Sequence, residues 1–392
     1  MGRNTRQRRP RGASHVGERH AVTVGPIAHG GHCVARIPTR GADGEERTRV
    51  VFVRHGLPGE EVLVEITEGT DGDSFWRGDV VRVEVASPDR VEAPCQYAGP
   101  GACGGCDFQH VALPAQRELK AAVVREQFAR LAGMDVDVVV EPVPGDRDGL
   151  AWRTRMEYAA TPAGWRGMHR HRSRSVIPVD ECLIAAPGAI DTSMAGQPPV
   201  VEQVHGREFS VEADGFWQVH PGAATVLVDT VLEMLDPQPG EKALDLYSGV
   251  GLFARFLAER VGESGRVVAI EGSRPATAHA RENLAGAPWA RAVAGSVDRV
   301  LADRFDQPFD LVVLDPPREG ARRKVVTQVV DRDPRAIAYV ACDPASLARD
   351  VAAFGELGYQ LVELRAFDLF PMTHHVECVA LLVKERQETS GP

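Results

Sequence analysis

The sequence predicts an α/β protein in three parts. A small N-terminal β-barrel of the OB type comes first, then a central α+β region, then a C-terminal Rossmann-like domain with a largely parallel sheet. Three observations carry this reading. Five short β-like runs separated by turns fall between Ala21 and Ala86. From Arg207 onward, apolar runs of strand length alternate with helical segments. Acidic or sulfur side chains recur at the ends of those runs. Short strands in close succession suit a barrel, whereas strand–helix alternation implies a parallel sheet covered on both faces.

In chain order, residues 1–20 carry six arginines against one acid and few apolar side chains, so a basic disordered tail is expected. Residues 21–90 hold the barrel, with strands at Ala21–Val24, His32–Ile37, Arg49–Val53, Glu60–Ile66 and Gly78–Val85. Gly30-Gly31 and Pro58-Gly59 supply turns between them. Residues 91–205 form the central domain. There, Ala121, Val124, Phe128 and Leu131 recur at helical spacing, which predicts a helix from Pro114 to Met134. In residues 206–392 the runs Lys242–Leu246, Val267–Ile270, Phe309–Leu314, Ala336–Ala341 and Cys378–Val383 read as sheet strands.

The 392 residues suffice for two or three domains, and 43% hydrophobic with 26% charged content is that of a globular protein. No apolar stretch approaches a membrane span, and the arginine-rich start lacks the apolar segment of a secretory signal. A cytoplasmic monomer is expected. The formal charge of −10 argues against a general nucleic-acid coat. Its distribution is uneven, however. Residues 150–178 carry Arg153, Arg155, Arg166, Arg170, Arg172 and Arg174, with Glu157 the only acid and Trp152, Tyr158 and Trp165 interleaved. Guanidinium forks and aromatic faces suit phosphates and unstacked bases, although a solvated loop with core aromatics would look the same.

Seven cysteines in a reducing compartment do not suggest a disulfide framework. Cys95, Cys103 and Cys106 lie close together, with Cys182 a distant fourth. Clustered thiolates suit an iron–sulfur cluster or tetrahedral zinc, and spacing does not choose between them. Reduced structural thiols or a redox-active Cys-x-x-Cys are the plainer alternatives.

The C-terminal domain carries the chemistry. Asp245-Leu-Tyr-Ser-Gly-Val-Gly-Leu-Phe-Ala254 reads as a strand end, a glycine loop and a helix start. Glu271, twenty residues after Gly251, is spaced to hold two ribose hydroxyls. A nicotinamide cofactor fits this pattern as well. Asp315-Pro-Pro-Arg318 forms a rigid strand exit with few free N–H groups. Cys342 lies at the next strand exit, and Glu377 starts the last strand. Uracil C5 is too weak a nucleophile to take a methyl group from a sulfonium directly. A thiolate adding to C6 makes C5 an enolate carbon, and a base must then remove the C5 proton. Cys342 and Glu377 are candidates for those roles, although a lone strand-end cysteine is commonly a small core hydrophobe.

Taken together, Cys103-Gly-Gly-Cys-Asp-Phe-Gln-His110, Phe216-Trp-Gln-Val219, the Asp245 glycine loop, Asp315-Pro-Pro-Arg318, Cys342-Asp-Pro344 and Thr373-His-His-Val-Glu377 resemble the S-adenosylmethionine-dependent RNA uracil-5 methyltransferases. The similarity is greatest to the 23S ribosomal RNA branch that carries a TRAM domain and an iron–sulfur cluster, and it runs from about residue 21 to 384. The resemblance implies a class I methyltransferase domain, a TRAM barrel over residues 21–86, and a central iron–sulfur domain. It implies Cys342 as nucleophile and Glu377 as proton acceptor. Gln218, Tyr247, Gly249, Glu271 and Asp315 would bind S-adenosylmethionine, and Cys95, Cys103, Cys106 and Cys182 would bind a 4Fe-4S cluster, with zinc as the other metal. The RNA partner would be 23S ribosomal RNA. The chain departs from the family pattern at Asp343, where asparagine is usual beside the nucleophile, at His220, and at Leu252. RNA cytosine-5 methylation uses the same thiolate addition and stays open. So does a non-catalytic RNA-binding or assembly factor with a degenerate cofactor pocket.

Overall fold

A computed structural model describes residues 12–40 and 46–385. The chain divides into two compact units. One holds the chain up to Leu119 together with Ala160–Asp180 and Met372–His374. The other holds Lys120–Ala159, Glu181–Pro371 and the chain from His375 onward.

The first unit is built on a six-stranded sheet. Its order is Arg19–Thr23, Glu61–Glu68, Phe75–Val85, Glu46–Arg54, His32–Arg40, Ile27–Ala28. Alternation along Glu61–Glu68 buries Val62, Val64 and Ile66 against Val51, Val53 and Trp76. The central strands pack too closely for a side chain at Gly78, where a Cβ would lie 2.5 Å from Val64 Cγ1 and 2.8 Å from the Glu65 carbonyl. The expected basic tail is ordered over its last part: the His15 ring stacks on Trp76 at 4.1 Å, and the first strand begins at Arg19. Residues 1–11, with five of the tail's six arginines, lie outside the described residues.

The second unit centres on an eight-stranded sheet. Its order is Ala290–Ala294, Arg266–Glu271, Lys242–Leu246, Leu311–Leu314, Ala336–Ala341, Glu377–Lys384, Tyr359–Phe367, Val140–Glu141. The first five strands pair in parallel, and Glu377–Lys384 runs antiparallel to both its neighbours. Side chains alternate strictly between two apolar layers. Ala243, Val267, Val313 and Ala338 pack on one face with the helices Ala223–Leu235 and Leu252–Val261. Leu244, Val268, Val312 and Ile337 pack on the other with Val300, Val326 and Val351 from three further helices. Two elements of this unit come from the region expected to be a separate central domain. Val140–Glu141 is the edge strand, and Ala121, Val124 and Phe128 of the helix Leu113–Leu131 belong to the core.

Candidate active site

A parallel sheet presents its ligands outside the carboxyl ends of its strands. Register brings Leu246 level with Ile270 and Leu314, so Tyr247, Glu271 and Asp315 emerge at one edge. The antiparallel last strand starts at that same edge. Ala341 pairs with Cys378, which sets Cys342 and Glu377 on adjoining strand ends. Cys378 itself turns into the apolar core, as alternation requires.

The glycine loop is shaped by left-handed residues at Tyr247 (φ 63°), Gly249 (φ 53°) and Gly251 (φ 86°). Tyr247 is not a glycine, and holding it there costs about 1–3 kcal/mol, a strain typical of ligand clamps. Tyr247 N–H and Ser248 N–H both donate to the Ile270 carbonyl. Glu271 accepts from Gly249 N–H at 3.0 Å and from Ser273 N–H at 2.6 Å, one on each oxygen. A carboxylate has about four acceptor sites, so both oxygens keep capacity for two hydroxyls. Gln218 enters from the segment before the helix Ala223–Leu235 and is buried. That segment is tied down by Thr154, whose N–H and hydroxyl both donate to the Val219 carbonyl.

The electrostatics at these strand ends are unusual. Burial drives the Asp315 carboxyl up to about 7, with Glu271 adding repulsion. Burial likewise raises Asp245 to about 7, against the Ala254 N–H bond that favours its ionised form. Glu377 is pushed well above the usual carboxylate range by burial and then by Asp315. Asp245 Oδ1 and Ser248 Oγ are buried without a partner among the described residues. Several buried acids and orphaned polar atoms around a glycine loop suit a ligand that carries positive charge and hydroxyl donors. S-adenosylmethionine, with its sulfonium, ammonium and ribose, fits that donor set.

Cys342 is held as a thiol. Burial is the main cause, Glu377, Asp315 and Asp343 add to it, and Arg318 opposes; the balance takes the group to about 12. Arg318 is therefore the cation that favours the thiolate, and its Nη2 lies 3.3 Å from His375 Nε2. The loop bearing Arg318 is pinned behind the site: Tyr339 hydroxyl donates to Asp350 Oδ2 at 2.6 Å, and Ala321 N–H donates to the same oxygen at 2.7 Å. Asp343 is explained by its own helix. Its Oδ1 accepts from Ser346 N–H at 2.8 Å, capping Pro344–Gly355 as asparagine would, with an added negative charge. Leu252 opens the helix Leu252–Val261 and is buried in the core rather than facing a ligand. His220 is an interior residue, stacked with Trp152 and accepting from Gly222 N–H on Nδ1.

The arginine-rich segment proves heterogeneous. Trp152 is buried, and Arg155 is a buried partner of Glu202 at 2.9 Å, so neither meets solvent nucleic acid. Trp165 is 69% exposed, as an open aromatic face requires, and Phe216, outside that segment, is 73% exposed. Of the four cysteines, Cys95, Cys103 and Cys106 belong to the first unit and Cys182 to the second. Gly105 N–H donates to Cys103 Sγ at 3.4 Å and Gln109 Nε2 to Cys106 Sγ at 3.5 Å. Among the described residues no group of three or more Cys, His, Asp or Glu side chains is arranged to hold a metal ion, so the iron–sulfur expectation has no geometric support. No described helix is long and apolar enough to cross a membrane. Asp245 was expected at the site from its strand-end position, without an assigned contact. Arg318 and His375 were not expected there, and their signal lay in the motifs that contain them.

Comparison with known proteins agrees with this geometry. Residues 13–81 match the TRAM domain model, 222–338 the methyltransferase small domain, and 296–385 the tRNA (uracil-5-)-methyltransferase model. An uncharacterized RNA methyltransferase of Streptomyces avermitilis is 45% identical, covering 94% of this chain and 98% of its own. One from Bifidobacterium longum is 39% identical over 93% and 96%. The 23S rRNA (uracil(1939)-C(5))-methyltransferase RlmD of Shewanella amazonensis is 28% identical over 95% and 97%. The fold is shared with the Pyrococcus abyssi tRNA (uracil-54, C5)-methyltransferase, solved with S-adenosyl-L-homocysteine (24% identity, TM-score 0.65, 89% of this chain and all of that one).

Proposed function

This chain belongs to the RNA methyltransferase family, in its TRAM-domain uracil-5 branch, and we propose that it methylates C5 of a uridine in 23S ribosomal RNA through Cys342 and Glu377. The observation that carries the residue roles is the pairing of Ala341 with Cys378, beside the half-buried Asp315. S-adenosylmethionine supplies the methyl group as a sulfonium.

Cys342 Sγ adds to C6 of the uracil, and the C5=C6 electron pair moves toward O4. C5 then takes the methyl group, and the sulfonium leaves as a neutral thioether. The Glu377 carboxylate accepts the C5 proton, the C5=C6 bond reforms, and the C6–S bond breaks to return the thiolate. Arg318 favours the anionic form of Cys342 at the start and end of this cycle. Asp315 and Glu377 become better carboxylates once positive charge enters the pocket, because the repulsion and desolvation that hold their protons are then offset. Gln218, Tyr247, Gly249 and Glu271 make up the cofactor wall of this reading. Extrusion of the target base from the RNA would bring it to the half-buried Cys342.

The 23S assignment rests on similarity along nearly the full length to RlmD. For Cys95, Cys103, Cys106 and Cys182 a 4Fe-4S cluster remains a proposal that rests on the resemblance of the Cys103-Gly-Gly-Cys106 motif alone. No chemical step uses it, and iron and acid-labile sulfide in anaerobically purified protein test it. The main test is nucleoside mass spectrometry with site mapping on RNA from a deletion strain, complemented with wild type or Cys342→Ala. Loss of 5-methyluridine at one 23S position, restored by wild type alone, is the expected result. Restoration by Cys342→Ala would overturn the covalent mechanism, and an unchanged uridine profile would overturn the substrate.

A further inference from the structure

A buried ion pair lies beneath the loop that delivers Glu377. Lys120 Nζ is 2.5 Å from Asp368 Oδ1 and donates to the Phe370 carbonyl at 3.0 Å, and both charged side chains are fully buried. Asp368 N–H donates to the Glu141 carbonyl, while Asp368 Oδ2 is buried without a partner among the described residues. A fully buried ion pair is a poor stabiliser, since apolar residues of similar volume commonly do as well. What this pair provides is position. One ammonium grips two alternate residues of the chain as it leaves the strand Tyr359–Phe367.

The grip acts on the catalytic loop by two short routes. Phe367, next to Asp368, is the register partner of Glu377. The Phe370 ring is set edge-on between Trp152 at 6.1 Å and His375 at 5.8 Å, and His375 in turn meets Arg318. Backbone displacement at Asp368–Phe370 would therefore shift the base and the residue contacting the thiolate's cation. Proton removal needs the carboxylate within hydrogen-bond reach of the C5 proton, and a misplacement of about 1 Å costs on the order of a hundredfold in rate.

We propose that Lys120 and Asp368 are positioning residues for Glu377, required for release of the methylated RNA from Cys342 rather than for folding. The inference rests on Glu377 being the base, and the experiment separates the two ideas. Wild type, Glu377→Gln and the charge-neutral Lys120→Met/Asp368→Asn variant are given methyl-labelled S-adenosylmethionine and 23S ribosomal RNA from the deletion strain. Label is then followed in free RNA and in protein–RNA adducts that survive denaturing gels. If Glu377 is the base, Glu377→Gln accumulates labelled adduct; absence of adduct in that variant overturns the base assignment itself. The double variant is expected to melt like wild type, to turn over ten- to a hundredfold more slowly, and to accumulate the same adduct. Its turnover should also become sensitive to deuterium at uridine C5. A folded double variant with wild-type turnover and no adduct overturns the proposal, as does slow turnover without adduct or isotope effect. Should the double variant not fold, the pair is structural and the proposal falls, unless Asp368→Asn alone folds and accumulates adduct. Lys120→Arg, which keeps the cation, is expected to restore part of the turnover.

Discussion

Cys342 is surrounded by more negative than positive charge, and the residue beside it is the one that departs from the usual asparagine. Asp343 disfavours the thiolate while serving as a helix cap. Asp343→Asn keeps the cap and removes the charge. The pH midpoint for alkylation of Cys342, followed by mass spectrometry, is expected to move down in this variant and up in Arg318→Met. Unchanged midpoints in both would mean that burial alone sets the thiol. The neighbouring carboxyls make a second prediction. Asp245 and Asp315, raised to about 7, hold protons below neutral pH. A folded-state value above the unfolded one contributes stability that is complete below about 4 and lost as pH rises through about 7. The free protein should therefore lose that contribution between about pH 4 and 7. A cationic ligand favours the ionised carboxylates, so its binding should release protons and tighten over the same range. Calorimetry of S-adenosylmethionine binding in two buffers of different ionisation enthalpy measures this, and Asp315→Asn should flatten the response. Proton uptake on binding would contradict it. Of the departures noted in the sequence, Leu252 is buried in the apolar core. No single-residue pattern could have revealed that.

The parallel strands were the most legible elements. Lys242–Leu246 and Ala336–Ala341 agree to the residue, because doubly buried strands are continuous apolar runs with sharp ends. Of the three strands of this sheet that escaped, two are longer than a pair of residues. Ala290–Ala294 is short, alanine-rich and interrupted by Arg291 at the sheet edge, and Tyr359–Phe367 carries a register shift after Leu361 with several polar side chains exposed. Neither has the apolar density or clean alternation on which such reading depends. The glycine loop was legible as a motif, and its backbone explains why. At Gly251 an added Cβ would meet only ordinary contacts, 3.5 Å from Ala280 Cβ, so the demand for glycine comes from φ +86°. Gly251→Ala is expected to cost about 1–2 kcal/mol from the left-handed backbone alone. In a domain of this size that is a fall of about 2–8 °C in melting temperature. A differential scanning experiment with no shift would show that the loop relaxes to another conformation.

At the scale of the molecule, the compact units do not follow the divisions expected from the sequence. A methyltransferase domain confined to residues 206–392 was expected. The compact unit instead recruits Lys120–Ala159, with a two-residue edge strand and one end of a helix whose apolar spacing had been recognised without its partner. Periodicity shows that Ala121, Val124 and Phe128 want a core, and only the folded chain shows that the core belongs to a sheet over a hundred residues later. This arrangement predicts the behaviour of a truncated protein. A fragment beginning at residue 206 would uncover the Tyr359–Phe367 edge, lose Lys120 from beneath Asp368, and strip Val124, Phe128, Val138 and Val140 from the apolar layer. Each large buried side chain removed from a core costs about 2–5 kcal/mol, against a total stability of about 5–15 kcal/mol for an ordinary domain. Such a fragment is expected to be insoluble, or to show helical circular dichroism without a cooperative melt and without binding S-adenosylmethionine. A sharp melt close to that of the full chain would mean that the sheet from Ala290–Ala294 through Tyr359–Phe367 folds alone, and that the preceding segment only docks on it.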